Sequence, residues 1–156
     1  MITTQEIIGL LVGHVADISA SDLVKKCNDL GMQQVPYQDV GLDSNLPPFE
    51  AGYHFRFNLD GKEEVLFEIL EKESLVLQAG YQLVFPASLF SSKAKKKHRQ
   101  SEEVLETYYG VGLVMKVGRI KTTNYGNDTT VAYISRAKGA GIDVITLRVG
   151  NRRFWH

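Results

Sequence analysis

The residues able to do chemistry are few and scattered. Histidines stand at His14, His54, His98 and His156, and Cys27 is the one cysteine. No histidine stands in a zinc-like spacing with a second ligand-type residue, so neither a metal site nor a cofactor site is expected. Cys27 falls on the apolar stripe of a helical segment, where a thiol is a small core residue rather than a nucleophile. The acidic residues Glu63, Glu64, Glu68, Glu71 and Glu73 could supply a general acid–base pair. On one strand, however, Glu64 and Glu68 are about 13 Å apart. That is wider than the roughly 5–9.5 Å between paired glycosidase carboxylates. Two glycine clusters, Tyr109-Gly110-Val111-Gly112 and Lys138-Gly139-Ala140-Gly141, lack the strand–loop–helix context and the Gly-Lys-Ser/Thr of a phosphate loop. They read as a helix cap and a turn.

Three groups of residues suit binding better than catalysis. Lys93, Lys95, Lys96, Lys97, His98 and Arg99 form a basic run. It is either a solvated loop or a surface that captures an acidic partner. Aromatic residues are sparse around it apart from Phe90, which argues against nucleic acid. Arg152, Arg153, Phe154 and Trp155 place arginine beside large aromatics, as binding anchors do, unless the rings close the core instead. The third group lies on a strand pair.

That pair is the clearest structural signal. Tyr53, Phe55 and Phe57, then Val65, Phe67 and Ile69, recur at every second position around Asp60-Gly61. The pattern predicts a β-hairpin with one buried face. Its other face carries His54, Arg56, Asn58, Glu64 and Glu68. Face parity requires a three-residue loop, read as Leu59-Asp60-Gly61, which sets Arg56 opposite Glu64.

The other elements follow from caps and periodicity. Thr3 with Glu6 forms a capping box ahead of Ile7, Ile8, Leu11 and Val15. Ser19 with Asp22 starts a second helix through Leu23, Val24, Cys27 and Leu30, and Gly31 stops it. Gln33–Gly52 reads as a long loop. Leu75–Gln78 and Tyr81–Phe85 are either one bulged strand or a tight hairpin, ended by Pro86. Ser101 begins a third helix that ends at Gly110. Leu113–Ile120, Thr130–Arg136 and Ile142–Val149 are strands. The expected fold is α+β: an antiparallel sheet of five to six strands in the order ααβββαβββ, with an N-terminal helical pair and one inserted helix packed on it.

Length and composition fit one domain over residues 1–156, with 44% apolar residues. Lys plus Arg and Asp plus Glu each number 18, so the net charge is zero. The lone cysteine, the absence of a basic leader and the shortness of the apolar run Ile7–Val12 point to the cytoplasm, with no membrane contact.

Three landmarks together resemble small bacterial immunity proteins of the pyocin and bacteriocin type. They are the hairpin Tyr53-His54-Phe55-Arg56-Phe57 through Leu66-Phe67-Glu68-Ile69, the Val84-Phe85-Pro86-Ala87-Ser88-Leu89 turn, and the helix end Thr107-Tyr108-Tyr109-Gly110. The resemblance implies a non-enzymatic inhibitor that binds a cognate toxin domain, as a monomer or weak homodimer. The expected contacts are His54, Arg56, Glu64, Glu68, Lys95, Lys96, Lys97, Arg99, Arg152, Arg153 and Trp155. The alternatives are a ligand-binding or enzymatic domain with a pocket between helices and sheet, or a partner-binding chaperone.

Overall fold

The capping box forms as expected. The Thr3 hydroxyl accepts the Glu6 N–H and the Glu6 carboxylate accepts the Thr3 N–H, both at 3.1 Å. It opens α1 (Thr4–His14), and Ser19 caps α2 (Ala20–Asp29). The structure is a computed structural model that describes residues 1–39, 46–86 and 93–155. Phe90, the 87–89 part of the Phe-Pro landmark and His156 lie outside the described residues. After α2 come β1 (Gln33–Val35), β2 (Ala51–Leu59), β3 (Glu63–Lys72), β4 (Leu75–Pro86), α3 (Lys93–Tyr109), β5 (Leu113–Val117), β6 (Ile120–Gly126), β7 (Thr130–Gly139) and β8 (Ile142–Asn151).

All eight strands form one antiparallel sheet in the order β1-β2-β3-β4-β8-β7-β6-β5. A helix followed by four strands therefore occurs twice. The two halves join where β4 pairs with β8. The α+β class is as expected, but the described residues hold eight strands rather than five to six, in the order ααββββαββββ. Two local facts account for the difference, and a third settles the Leu75–Phe85 alternative. Gln33–Val35 pairs with β2 inside the expected long loop, whose residues 40–45 lie outside the described ones. Gly118, at a φ of 59°, breaks the apolar run Leu113–Ile120 into the β5–β6 hairpin. Leu75–Pro86 is one strand, because Leu77 is an extra residue between the pairs Gln78–Leu70 and Val76–Glu71.

The helices cover one face. Phe55, Phe57, Val65, Phe67, Ile69, Tyr81, Leu83, Ile134, Ile145, Leu147 and Val149 point from the sheet into a core completed by Ile7, Ile8, Leu11, Leu23, Cys27 and Leu105. Phe57 pairs with Val65, so the face parity of the hairpin is as read from the sequence. The loop is not. Leu59 is fully buried and pairs with Glu63, leaving Asp60-Gly61-Lys62 as the loop. Asp60 and Gly61 take φ values of 53° and 71°.

The basic run is not a loop. It is the start of α3, whose inward stripe is Ala94, Lys97, His98, Ser101 and Leu105. The helix begins eight residues before the expected Ser101 because three of these five positions are polar. Lys97 is buried and reaches Asp60 at 2.5 Å and Glu63 at 3.5 Å. Asp60 also accepts the Thr4 N–H at 3.0 Å and the Thr4 hydroxyl at 2.7 Å. One hairpin turn thus holds the start of α1 and the second turn of α3. Burial alone would raise the Asp60 carboxyl, but Lys97 and Thr4 hold it below the ordinary carboxylate value. Replacing Lys97 with Ala leaves two acidic groups without their cation. We expect a loss of about 3 kcal/mol in denaturant unfolding, against less than about 0.5 kcal/mol for Lys95→Ala on the exposed side of the helix.

Candidate functional site

The face of the sheet opposite the helices is the candidate site, and strand register defines its composition. One cross-strand row runs Val84, Val144, Ala137, Ile120, Val117 over β4, β8, β7, β6 and β5. It is apolar throughout and about 19 Å long at the usual strand spacing. Val84, Ile120 and Val117 are 58%, 48% and 71% exposed. A second row spans all eight strands as Gln33, Arg56, Leu66, Gln82, Thr146, Ser135, Thr122 and Met115. A third reads Val35, His54, Glu68, Gly80, Arg148, Tyr133, Asn124 and Leu113. Charge therefore gathers toward β2 and β3, and exposed apolar side chains toward β5.

The two edges of the sheet differ. β1 is three residues long, Gln-Gln-Val, and runs into Pro36. β5 is Leu-Val-Met-Lys-Val, exposed at every position. The first is built as protected edges usually are; the second has the apolar composition that invites contact.

The expected contact residues separate into four settings. His54 and Glu68 are not free surface. His54 is 3% exposed and its Nε2 lies 2.9 Å from Glu68 Oε2. Tyr37 lies over it with ring centroids 4.5 Å apart, and the Gln38 N–H points at Nδ1 from 3.4 Å. That contact leaves the proton on Nε2, which donates to Glu68. Burial, with Glu68 and Asp39 nearby, pushes the Tyr37 phenol up to about 12. Arg56 and Glu64 do form an ion pair at 2.9 Å. It is diagonal, because Leu66 lies opposite Arg56 and Asn58 opposite Glu64. Both partners are more than half exposed, so the pair adds at most about 1 kcal/mol.

Lys95, Lys96 and Arg99 are exposed, but they belong to α3, on the other side of the sheet. Lys97 is buried in its clasp and is no contact residue. At the C-terminus, Arg152 Nε donates to the Asn127 carbonyl at 2.7 Å and Arg153 reaches Glu73 at 3.4 Å. Trp155 neither closes the core nor stands free. It lies on Gly150 of β8, on the helix-free face, and its Nε1–H donates to the Leu77 carbonyl at 3.3 Å. The structure therefore pairs Arg56 with Glu64 and sets Trp155 on the same open face but in a different row, three strands from Arg56, with the basic run on the other side of the sheet.

Two features escaped sequence reading. The first is a cavity of about 270 Å³ on the open face beside Trp155, bounded by Gln78, Asn124, Tyr133 and Arg148. Only the period-two alternation of β7 and β8 hinted at it. The second lies under α3. His98 Nδ1 is 3.0 Å from Glu102 Oε1, a pairing four residues apart on one helix. Placing the helix start at Ser101 hid that spacing. Glu102 also accepts the Thr123 hydroxyl at 2.9 Å and attracts Lys121 at 3.5 Å. Beside them Arg136 grips Asp143 with two nitrogens, at 2.7 and 3.0 Å. A histidine oriented by a carboxylate is a general-base arrangement. This one is 4% exposed, and among the described residues His98 Nε2 and Tyr125 Oη are buried without partners. Among the described residues no group of three His, Cys, Asp or Glu side chains could hold a metal ion. Cys27 is buried in the core, and burial pushes its thiol up to about 12.

Comparison with models of known families, with curated sequences and with solved structures returns no significant match. Among the described residues no helix is long and apolar enough to cross a membrane.

The His98 site makes stability depend on pH. Burial pushes the imidazole below its ordinary value, against the pull of Glu102, while Lys121 and Arg136 push the same way. The unfolded chain therefore takes up the proton first as the pH falls. Stability from this group is full above about pH 6.5 and is lost below it. We expect the denaturant midpoint to drop between about pH 7 and pH 5, and His98→Asn to flatten that slope.

Proposed function

We propose that this chain is a non-catalytic binding protein whose open sheet face engages another protein, and that the partner is a toxin domain it neutralises. The observation that carries the reading is the apolar row Val84–Val144–Ala137–Ile120–Val117 on a face that, among the described residues, no helix covers. An apolar strip of this extent, bordered along the next row by Gln82, Thr146, Ser135 and Thr122, has the make-up of a protein contact: dry centre, polar margin. Both histidine–carboxylate pairs are shielded, His54 beneath Tyr37 and His98 beneath α3, which favours binding over turnover. The immunity role rests on the resemblance of the hairpin, the Phe85-Pro86 turn and the Tyr108-Tyr109-Gly110 helix end. Such a role asks for a stable contact, and we place the strip at its apolar centre.

The test is co-expression with the protein encoded by the neighbouring gene, scored by pull-down and by rescue of growth. A complex is expected, and Ile120→Lys or Val117→Glu weakens it about thirtyfold or more. Lys95→Glu on α3 leaves it intact. A complex indifferent to changes on the strip, or one abolished by the α3 change alone, moves the contact off this face.

A further inference from the structure

We infer that the cavity beside Trp155 is a binding site for a planar group bearing a carboxylate. Its room is about 270 Å³, and a cavity of about 150 Å³ already takes a benzene ring. Tyr133 and Trp155 line it as aromatic walls, which suit a flat guest.

Arg148 supplies the reason for the charge. It is half-buried, and among the described residues no carboxylate lies within ion-pair distance of it, whereas Arg56, Arg136 and Arg153 each have one. Its Nη1 donates to the Leu147 carbonyl at 3.2 Å, and among the described residues its other nitrogens meet no second acceptor. Glu68 is the next carboxylate along its row, beyond Gly80, but it is held by His54 at 2.9 Å. A guanidinium kept half out of water without a counter-ion is a site for an anion, and its planar fork matches a carboxylate. Gln78 and Asn124 add amide groups at the same cavity.

Two glycines make the site. A Cβ on Gly80 would meet the Leu147 carbonyl, the Arg148 backbone and Arg148 Cδ, and one on Gly150 would meet Trp155 Nε1 at 2.5 Å. A side chain at Gly80 would part β4 from β8 beneath the cation, and one at Gly150 would displace the indole. This inference goes beyond the toxin-binding reading and does not need it. A guest can enter as a free acid or as the C-terminal residue of a protein.

Trp155 is the only tryptophan, so its emission reports this site alone. Phenylacetate is expected to change that emission saturably. Phenylacetamide, of the same shape without the charge, binds at least about tenfold more weakly, and so does phenylacetate to Arg148→Gln. A short peptide ending in Phe with a free carboxylate separates the sources. Tighter binding than phenylacetate assigns the site to a chain end; weaker binding assigns it to a free acid. No saturable change with either acid, or equal binding of phenylacetamide to the wild-type chain, overturns the inference. The amide comparison stands even if Arg148→Gln fails to fold.

Discussion

The pairing of β4 with β8 is the constraint from which the rest follows. It joins two four-stranded meanders into one sheet over nine paired positions, from Gln78–Gly150 to Pro86–Ile142. Because side chains alternate on every strand, that one register fixes which residues face the helices across all eight strands. It puts Tyr81 opposite Leu147 in the core, and Val84 opposite Val144 on the bare side. A slip of one residue would bury Arg148 and expose Leu147. Gly80 allows the two strands to lie together here, since its missing Cβ is where the Leu147 carbonyl and the Arg148 backbone approach.

The covered side carries an unusual load of charge for an interior. Lys97 with Asp60 and Glu63, and Arg136 with Asp143, are ion pairs beneath or beside α3. Such pairs add less to net stability than their short distances suggest, because each charge gives up hydration. Their effect is geometric. Lys97 can be satisfied only when the β2–β3 turn and α3 are aligned, and Asp60 only when α1 starts at Thr4. The polar contacts thus select one arrangement of α1 and α3 over a sheet whose apolar core alone would tolerate several. Among the described residues the bare side has no such ion-pair network across β5–β8, and apart from Arg148 and Asn124 the groups there are mostly apolar or hydroxyl-bearing.

Local features of the chain were legible before any coordinates. The capping box at Thr3 and Glu6, the Ser19 cap, the core position of Cys27 and the face parity of Tyr53–Ile69 all rest on interactions within a few residues or across one turn. The failures have two physical origins. Some segments hide their type: the buried stripe of α3 is read as solvated because Lys97, His98 and Ser101 are polar, and their partners Asp60 and Glu102 complete them only in the fold. The β5–β6 turn is hidden because Gly118-Arg119 sits in a mostly apolar run, Leu113–Ile120, short enough to read as one strand. Others depend on distant pairing. Nothing near Arg148 announces that Gly80, 68 positions earlier, will make room for it, or that Trp155 will return over Gly150. His54 and Glu68 were correctly placed on one face, yet Tyr37 comes from outside the hairpin to cover them.

The unequal borders of the sheet limit how copies of this molecule could grow on one another. At β1 a short, glutamine-rich stretch ending in proline offers an incoming strand little to zip against. At β5 five exposed residues offer a full docking rail. Head-to-tail stacking needs two receptive borders, and here there is one. Two molecules meeting rail to rail consume both at once, so self-assembly by strand addition closes at a pair and leaves no open end from which a fibre could extend.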